Sequence, residues 1–165
     1  MTDTDTSTRE RRQPRFNHVA MSMPADALDE TGRKEIVEFY REVFGWEELP
    51  TLTEDRHRLV LQAYTYEQFV FLIADEPHMT CPGLDHFGMS VSTGEELDEL
   101  LARSKAFAAR DERVEIIDRK VEDYGMLKLH SFYVRYLLPL MIEVQYFEWT
   151  GSDAPAAADA GPTPP

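Results

Sequence analysis

The chain has 165 residues, of which 42% are hydrophobic, which is enough for one compact domain with a substantial core. Its 31 acidic and 17 basic residues give a net charge of −14, which argues against nucleic acid and membrane surfaces as partners. A single cysteine, Cys81, excludes an internal disulfide, and no apolar run is long enough for a membrane span. We therefore expect a cytoplasmic protein with a small-molecule partner.

The two ends of the chain are predicted to be disordered tails. Residues 1–13 are rich in Thr, Asp and Arg, and residues 150–165 are dominated by Ala and Pro. Both segments have too few apolar groups to pack into a core. The folded domain is therefore expected over residues 14–149.

A short internal repeat organises the folded region. Residues 16–23 read FNHVAMSM and residues 84–91 read LDHFGMSV, so both follow the pattern apolar, Asn or Asp, His, apolar, small, Met, Ser, apolar. The repeat sets His18 and His86 at matching positions, 86 − 18 = 68 residues apart. An offset of about half the domain predicts two modules of the same construction.

One helix is predicted after each copy of the repeat. Residues 32–44 carry apolar side chains at helical spacing, and Gly45 is placed to end that helix. Residues 95–109 have the same periodicity, and Thr93 with Glu96 forms the sequence pattern of a capping box.

Three strand-like segments follow each helix. They are residues 46–52, 58–64 and 68–74 in the first half and residues 114–122, 126–136 and 140–147 in the second. Each half therefore reads βαβββ, with module one over about 14–78 and module two over about 82–149. We predict an α+β fold in which both modules form an eight-stranded curved sheet, a half-open barrel, with two outer helices.

A lone glutamate in the last predicted strand is the first candidate for chemistry. Glu143 is flanked by Met141, Ile142 and Val144. In apolar surroundings a carboxylate carries a large desolvation cost unless it has a partner, and a metal ion would be one. The alternative is that strand alternation turns it to solvent. For the repeated histidines the alternative is a hydrogen-bonded core residue.

Paired βαβββ modules with a histidine in each first strand resemble the vicinal oxygen chelate superfamily, which includes glyoxalase I, extradiol dioxygenases and bleomycin-resistance proteins. The resemblance covers almost the whole folded region. It implies a curved sheet around a central pocket, with His18, His86 and Glu143 as ligands of one divalent metal. Two histidines and a carboxylate favour Fe(II), while Mn, Zn, Ni and Co are also compatible.

A fourth ligand separates branches of this superfamily. Glyoxalase I-like members usually add one from the last strand of the first module. The position that matches Glu143 there is Phe71, which cannot ligate a metal. Asp75 has the same strand parity but is expected in a turn, and it stays an alternative fourth ligand. A set of three ligands resembles the extradiol dioxygenases.

A second pattern resembles the same branch. Extradiol enzymes carry a His, a Tyr and a Pro-containing turn before the glutamate ligand, and this chain has His130, Tyr133, Tyr136 and Pro139 before Glu143 at shorter spacing. The resemblance implies that His130 is a general acid or base and that Tyr133 or Tyr136 holds an oxygen anion. The alternative is that these side chains only fill the barrel interior.

Three functions follow from this pattern. The leading interpretation is an extradiol-type ring-cleaving dioxygenase acting on a small catechol-like substrate. The second is a glyoxalase- or epimerase-like lyase or isomerase. The third is a resistance-type protein that binds a small molecule without turnover. Superfamily members often pair, so we also expect a homodimer.

Overall fold

The computed structural model describes residues 15–49 and 57–150, which form two modules with the same order of elements. The first module contains β1 (His18–Met23), α1 (Glu30–Phe44), β2 (Glu47–Glu48), β3 (Arg58–Gln62) and β4 (Phe69–Ala74). The second contains β5 (His86–Ser90), α2 (Gly94–Ala108), β6 (Glu115–Asp123), β7 (Leu127–Arg135) and β8 (Met141–Trp149). The predicted βαβββ order is confirmed in both halves. The expected tails, residues 1–13 and 150–165, lie outside the described residues except for Thr150.

Each module forms one unclosed four-stranded sheet. The strand orders are β1-β4-β3-β2 and β5-β8-β7-β6, and only the β1–β4 and β5–β8 pairs are parallel. The eight predicted strands are therefore present, but they are divided between two hydrogen-bonded sheets. As a consequence of the repeat, His18 and His86 occupy the same place, the first residue of an edge strand in their sheets.

Local capping explains where the two helices begin and end. Asp29 caps α1 by accepting a hydrogen bond from the Gly32 backbone, which starts the helix two residues before the predicted residue 32. The predicted stop is confirmed because Gly45 adopts a φ of 72°, a conformation that favours glycine. The capping box of Thr93 and Glu96 is also confirmed at α2. Neither helix in the described part of the chain is long and apolar enough to cross a membrane.

The core lies between the two helices and one face of each sheet. In the second sheet, alternate side chains of β7 and β8 enter this core, which leaves the intervening side chains on the opposite face. Aromatic contacts join the modules, since the Phe39 ring lies 4.9 Å from that of Phe107 and 4.7 Å from that of Tyr136. The core-facing residues of these two strands are Phe132, Val134, Ile142 and Val144.

A hydrogen-bonded network around Tyr136 fastens α1 to the second module. Its hydroxyl donates to Asp111 at 2.7 Å and accepts from Arg113 at 2.8 Å, while its carbonyl accepts from Tyr40 at 3.0 Å. Arg113 also donates to Glu35 of α1 at 2.9 Å. The hydrogen bonds from Arg113 and then Tyr136 hold the pKa of Asp111 well below its usual range. The network therefore requires an ionised Asp111.

This network predicts a pH-dependent effect of Asp111→Asn. A carboxyl group whose pKa is lower in the folded state stabilises that state above its unfolded pKa of about 3.9, and the stabilisation is lost as the pH falls below that value. At neutral pH we therefore expect Asp111→Asn to unfold at a lower temperature than the wild type. In thermal unfolding scans the difference should shrink as the pH is lowered below about 4.

The exposed turn residue Asp26 offers a matched control, because Asp26→Asn makes the same chemical change away from the network. Asp26→Asn should leave the unfolding temperature close to that of the wild type at every pH measured. A constant difference between Asp111→Asn and the wild type at all pH values would contradict the assigned role.

Candidate metal centre

The candidate site lies on the face of the second sheet that points away from α2. Glu143 is directly opposite Tyr133 of β7 and Gly88 of β5 in the strand register. Because side chains alternate along a strand, these three residues share one face, while Ile142 and Val144 point into the core. The pairing brings the glutamate and the tyrosine into contact.

Glu143 is a buried carboxylate with three polar partners. It is 7% exposed, so the alternative that strand alternation turns it to solvent does not hold. The Tyr133 hydroxyl donates to its Oε1 at 2.5 Å, and the Gln145 amide donates to its Oε2 at 2.8 Å. The Nε2 atom of His86 lies 3.2 Å from the same Oε2. The desolvation cost of this carboxylate is therefore offset in part by the hydrogen bonds that Tyr133 and Gln145 donate.

The backbone fixes the proton arrangement of His86. Its Nδ1 lies 2.8 Å from the Leu84 carbonyl oxygen, which can only accept, so Nδ1 carries a hydrogen. In the neutral ring Nε2 is then unprotonated and faces the Glu143 carboxylate, so a proton or a metal ion is needed between two acceptors. Two ligands at about 2.1 Å from one ion and at right angles lie about 3.0 Å apart. The 3.2 Å separation fits such an ion.

His18 occupies the equivalent position in the first sheet. Its ring stacks on Phe69 with centroids 4.8 Å apart, and its Nδ1 lies 2.9 Å from the side-chain oxygen of Asn17. These contacts leave Nε2 as the ring nitrogen that could bind a metal ion. His18 also lines a cavity of about 490 Å³ bordered by the edges of β1 and β5.

The structure brings together two of the three predicted ligands. His86 and Glu143 are in contact, but within residues 15–49 and 57–150 no group of three or more His, Cys, Asp or Glu side chains could hold an ion. The physical reason is that His18 belongs to the other sheet, and no hydrogen-bonded register links β1 to β5.

The first module carries no carboxylate at the position of Glu143. Phe71 pairs with Ala20 of β1 as Glu143 pairs with Gly88 of β5, so the two positions correspond. Asp75 follows the end of β4, where its Oδ1 accepts a hydrogen bond from the Glu76 backbone at 2.8 Å. This contact is that of a turn residue.

His130 lies on the opposite face of β7 from Tyr133. It is paired with Tyr146, and its Nε2 lies 2.6 Å from Glu148 while its Nδ1 lies 2.8 Å from the Arg119 guanidinium. It is three positions before Tyr133 on the same strand, and an odd offset puts the two side chains on opposite faces. The structure therefore does not bring His130 to Glu143.

Only one of the two candidate tyrosines is at the site. Tyr136 is 1% exposed and belongs to the network with Asp111. Burial, and then the hydrogen bond to Glu143, raise the pKa of Tyr133 to about 12. At neutral pH Tyr133 is therefore a protonated phenol, and it can stabilise an anion only by donating a hydrogen bond.

Comparison with known proteins identifies the fold. No protein-family model and no curated protein matches the sequence. A variant of the fosfomycin resistance protein FosX from Listeria monocytogenes, complexed with Mn(II) and 1S,2S-dihydroxypropylphosphonic acid, matches with a TM-score of 0.56 and 15% identity over 81% of this chain and 92% of that chain. A glyoxalase family protein from Bacillus anthracis matches with a TM-score of 0.53 and 20% identity over 81% and 95%. A glyoxalase/bleomycin resistance protein from Albidiferax ferrireducens matches with a TM-score of 0.54 and 15% identity over 79% of this chain and 97% of that chain.

This chain has the vicinal oxygen chelate fold. The resemblance predicted from the repeat is thereby confirmed at the level of the fold. Identities of 20% or less leave the reaction and the substrate to be argued from the site itself.

Within the vicinal oxygen chelate fold, the site includes residues that the sequence interpretation missed. Gln145 and Ser131 face each other across β8 and β7, and Lys120 of β6 pairs with Ser131. Gln145 lies two residues after Glu143 on the same strand, and this spacing in the sequence could have placed it on the same face. Lys120 carried no such signal, because a β-bulge between Ile117 and Lys120 shifts its side chain to this face.

The hydrogen bonds predict opposite tautomers for two histidines. His86 should carry its hydrogen on Nδ1, because that atom faces a carbonyl oxygen. His130 should carry its hydrogen on Nε2, because Arg119 donates to Nδ1 and Glu148 accepts from Nε2. Two-bond ¹H–¹⁵N NMR at about pH 8, where an ordinary imidazole is neutral, distinguishes these forms. A neutral His86 ring protonated on Nε2 would contradict the assignment, and His130 serves as the internal reference.

Proposed function

We propose that this protein is an enzyme that uses one divalent metal, held by His86, Glu143 and His18, to bind a small molecule through neighbouring oxygens. The observation that supports the proposal most strongly is the His86 Nε2 atom facing the buried Glu143 carboxylate at 3.2 Å. The similar FosX structure is a complex with Mn(II), which supports a divalent ion. Fe(II), Zn, Ni and Co suit the same donors.

The ion and the side chains around it would together supply three functions. The ion itself would act as a Lewis acid on a substrate oxygen. Gln145 and Tyr133 each donate to one oxygen of Glu143, which fixes the orientation of the carboxylate. Tyr133 has one hydroxyl hydrogen, so it would donate to an oxygen anion on the substrate only by exchanging its hydrogen bond to Glu143 for that one.

A glyoxalase- or epimerase-like lyase or isomerase is the reaction class that these residues support best. Such a reaction requires a polarised substrate oxygen and a base that moves a proton from one carbon to the next. The ion would polarise the oxygen, and Glu143 is the carboxylate that would take up the proton and return it. The dioxygenase interpretation assigned proton transfer to His130. That ring is bonded to Glu148 and Arg119 on the other face of the sheet, so it is a structural residue in this proposal.

Ring cleavage remains the second candidate because of one specific observation. Phe71 occupies the position of a fourth ligand, so a three-ligand ion would keep open positions for two substrate oxygens and O₂. Under this alternative Fe(II) is the required metal, and Tyr133 rather than Tyr136 holds the developing anion.

A homodimer belongs to the proposal as well. His18 and His86 lie on edge strands of separate sheets. In a dimer, His18 of one copy could therefore approach the His86 and Glu143 pair of the other copy.

Metal binding gives the primary test of the proposed function. We expect wild-type protein to bind close to one Zn(II) per chain in calorimetric titration, and His86→Ala to lose this binding because a ligand is removed. Tyr133→Phe should weaken binding by about tenfold, since it removes a hydrogen bond that orients a ligand.

Tyr146→Phe is the matched control, because Tyr146 has the opposite strand parity to Glu143 and packs against the core. It should bind zinc like the wild type. Light scattering on the same samples reports whether binding accompanies a dimer mass. Absence of zinc binding by the wild type, or equal binding by His86→Ala, would refute the metal site.

Substrate panels separate the reaction classes. Protein loaded with Zn, Ni or Co should turn over a thiohemiacetal of a 2-oxoaldehyde or epimerise an acyl thioester if the first proposal is right. Protein reconstituted anaerobically with Fe(II) should then consume no O₂ with a panel of catechols. Oxygen uptake with ring-cleaved products would instead establish the dioxygenase. Tight binding without turnover under every metal would favour the resistance-type binder.

A further inference from the structure

The face that carries Glu143 is arranged in rows that run across the sheet. Residues opposite each other in the register share a row, and successive rows lie two residues apart along each strand. The row of the metal centre consists of Gly88, Glu143, Tyr133 and Ile117. The next row consists of Ser90, Gln145, Ser131 and Lys120. This second row consists entirely of polar side chains.

Ser131 is an unusual member of the second row. It is 1% exposed, yet its Oγ makes no hydrogen bond of acceptable geometry with any residue that the structure describes. Ser131 lies two residues from Tyr133 on the same strand, so its side chain is on the face that carries Glu143. A buried hydroxyl without a partner costs free energy that a ligand atom could recover.

Lys120 supplies a positive charge beside Ser131. Its ammonium lies 5.6 Å from the centroid of the Tyr133 ring and 3.2 Å from Glu122, and its side chain is 45% exposed. The β-bulge after Ile117 is what puts the lysine on this face, because an unbroken strand would reverse its direction. Lys120 therefore extends over the metal centre from the strand farthest from β5.

We propose that Lys120 and Ser131 form a carboxylate subsite, and that the substrate carries a carboxylate beyond its metal-binding oxygens. This inference rests on the proposed function, because the metal centre defines where those oxygens lie. One ammonium and one hydroxyl give two donors, which matches the two oxygens of a planar carboxylate. Glu122 next to Lys120 disfavours a dianion such as phosphate.

The geometry also limits the length of the substrate. Two residues along a strand span about 6.6 Å, which is the distance from the row of Glu143 to the row of Ser131. A six-membered ring with two oxygens at one end and a carboxylate at the other covers this distance. The predicted ligand therefore carries a carboxylate about 6.6 Å from the oxygens that would bind the ion.

Two ring compounds of equal shape test this subsite. Zinc-loaded protein is titrated calorimetrically with 3,4-dihydroxybenzoate and with the neutral 3,4-dihydroxybenzamide. We expect the wild type to bind the acid about tenfold more tightly than the amide, a difference of about 1.4 kcal/mol. Lys120→Met should abolish this preference, so that acid and amide bind with about equal affinity. Its affinity for the amide should stay within about twofold of the wild-type value.

Ser131→Ala gives a second measurement, which a merely structural hydroxyl would not reproduce. It should reduce the preference for the acid several-fold without lowering the unfolding temperature, because it removes a buried hydroxyl that lacks a protein partner. Lys128→Met is the matched control, since it removes the same charge from a position of opposite strand parity on β7. It should retain the full preference.

The outcomes separate this inference from the function on which it rests. Failure of the wild type to bind zinc overturns both. Zinc binding with equal affinity for acid and amide overturns the carboxylate subsite and leaves the metal centre intact. A preference that survives in Lys120→Met, or that Lys128→Met abolishes equally, also overturns the subsite.

Discussion

The burial of the Glu143 carboxylate is the constraint around which this sheet face is organised. An ionised group that is 7% exposed loses most of its hydration, and the penalty for one ion in a protein is several kcal/mol unless partners replace water. Tyr133 and Gln145 are those partners, and each is placed by strand pairing or by parity with Glu143. A cation between His86 and the carboxylate would complete the compensation, which is why the site is proposed to hold a metal.

The two modules have the same backbone topology but different chemistry. The same place in the two sheets is occupied by Phe71 and by Glu143, so only the second module presents a carboxylate. In the first module the histidine at the position of His86 is His18. Its imidazole stacks on Phe69, and this apolar contact orients the ring. The aromatic contacts of Phe39 and the Tyr136 network join the modules on the core-facing side of the second sheet, whereas Glu143 and Tyr133 lie on its other face.

The sequence predicted the fold better than the site. Apolar periodicity, the caps of both helices and the repeated histidine positions depend on local chemistry, and these predictions are confirmed. The correspondence of Phe71 with Glu143 also followed from the repeat. The placement of His130 did not, because the order of His, Tyr, Pro and Glu carries no information on strand parity, which puts His130 and Tyr133 on opposite faces. The bulge in β6 and the orphan hydroxyl of Ser131 depend on the register between strands, and a single sequence carries no signal for them.

The overall charge explains why the proposed site needs cationic groups at short range. A net charge of −14 concentrates metal cations near the surface but repels an anionic substrate at a distance. Salt screens such long-range forces within about 8–10 Å, whereas contacts between partly buried groups are screened much less. Affinity for a carboxylate must therefore arise within the site, from the proposed ion and from Lys120. The glutamate beside Lys120 limits that local positive charge to what one carboxylate can neutralise.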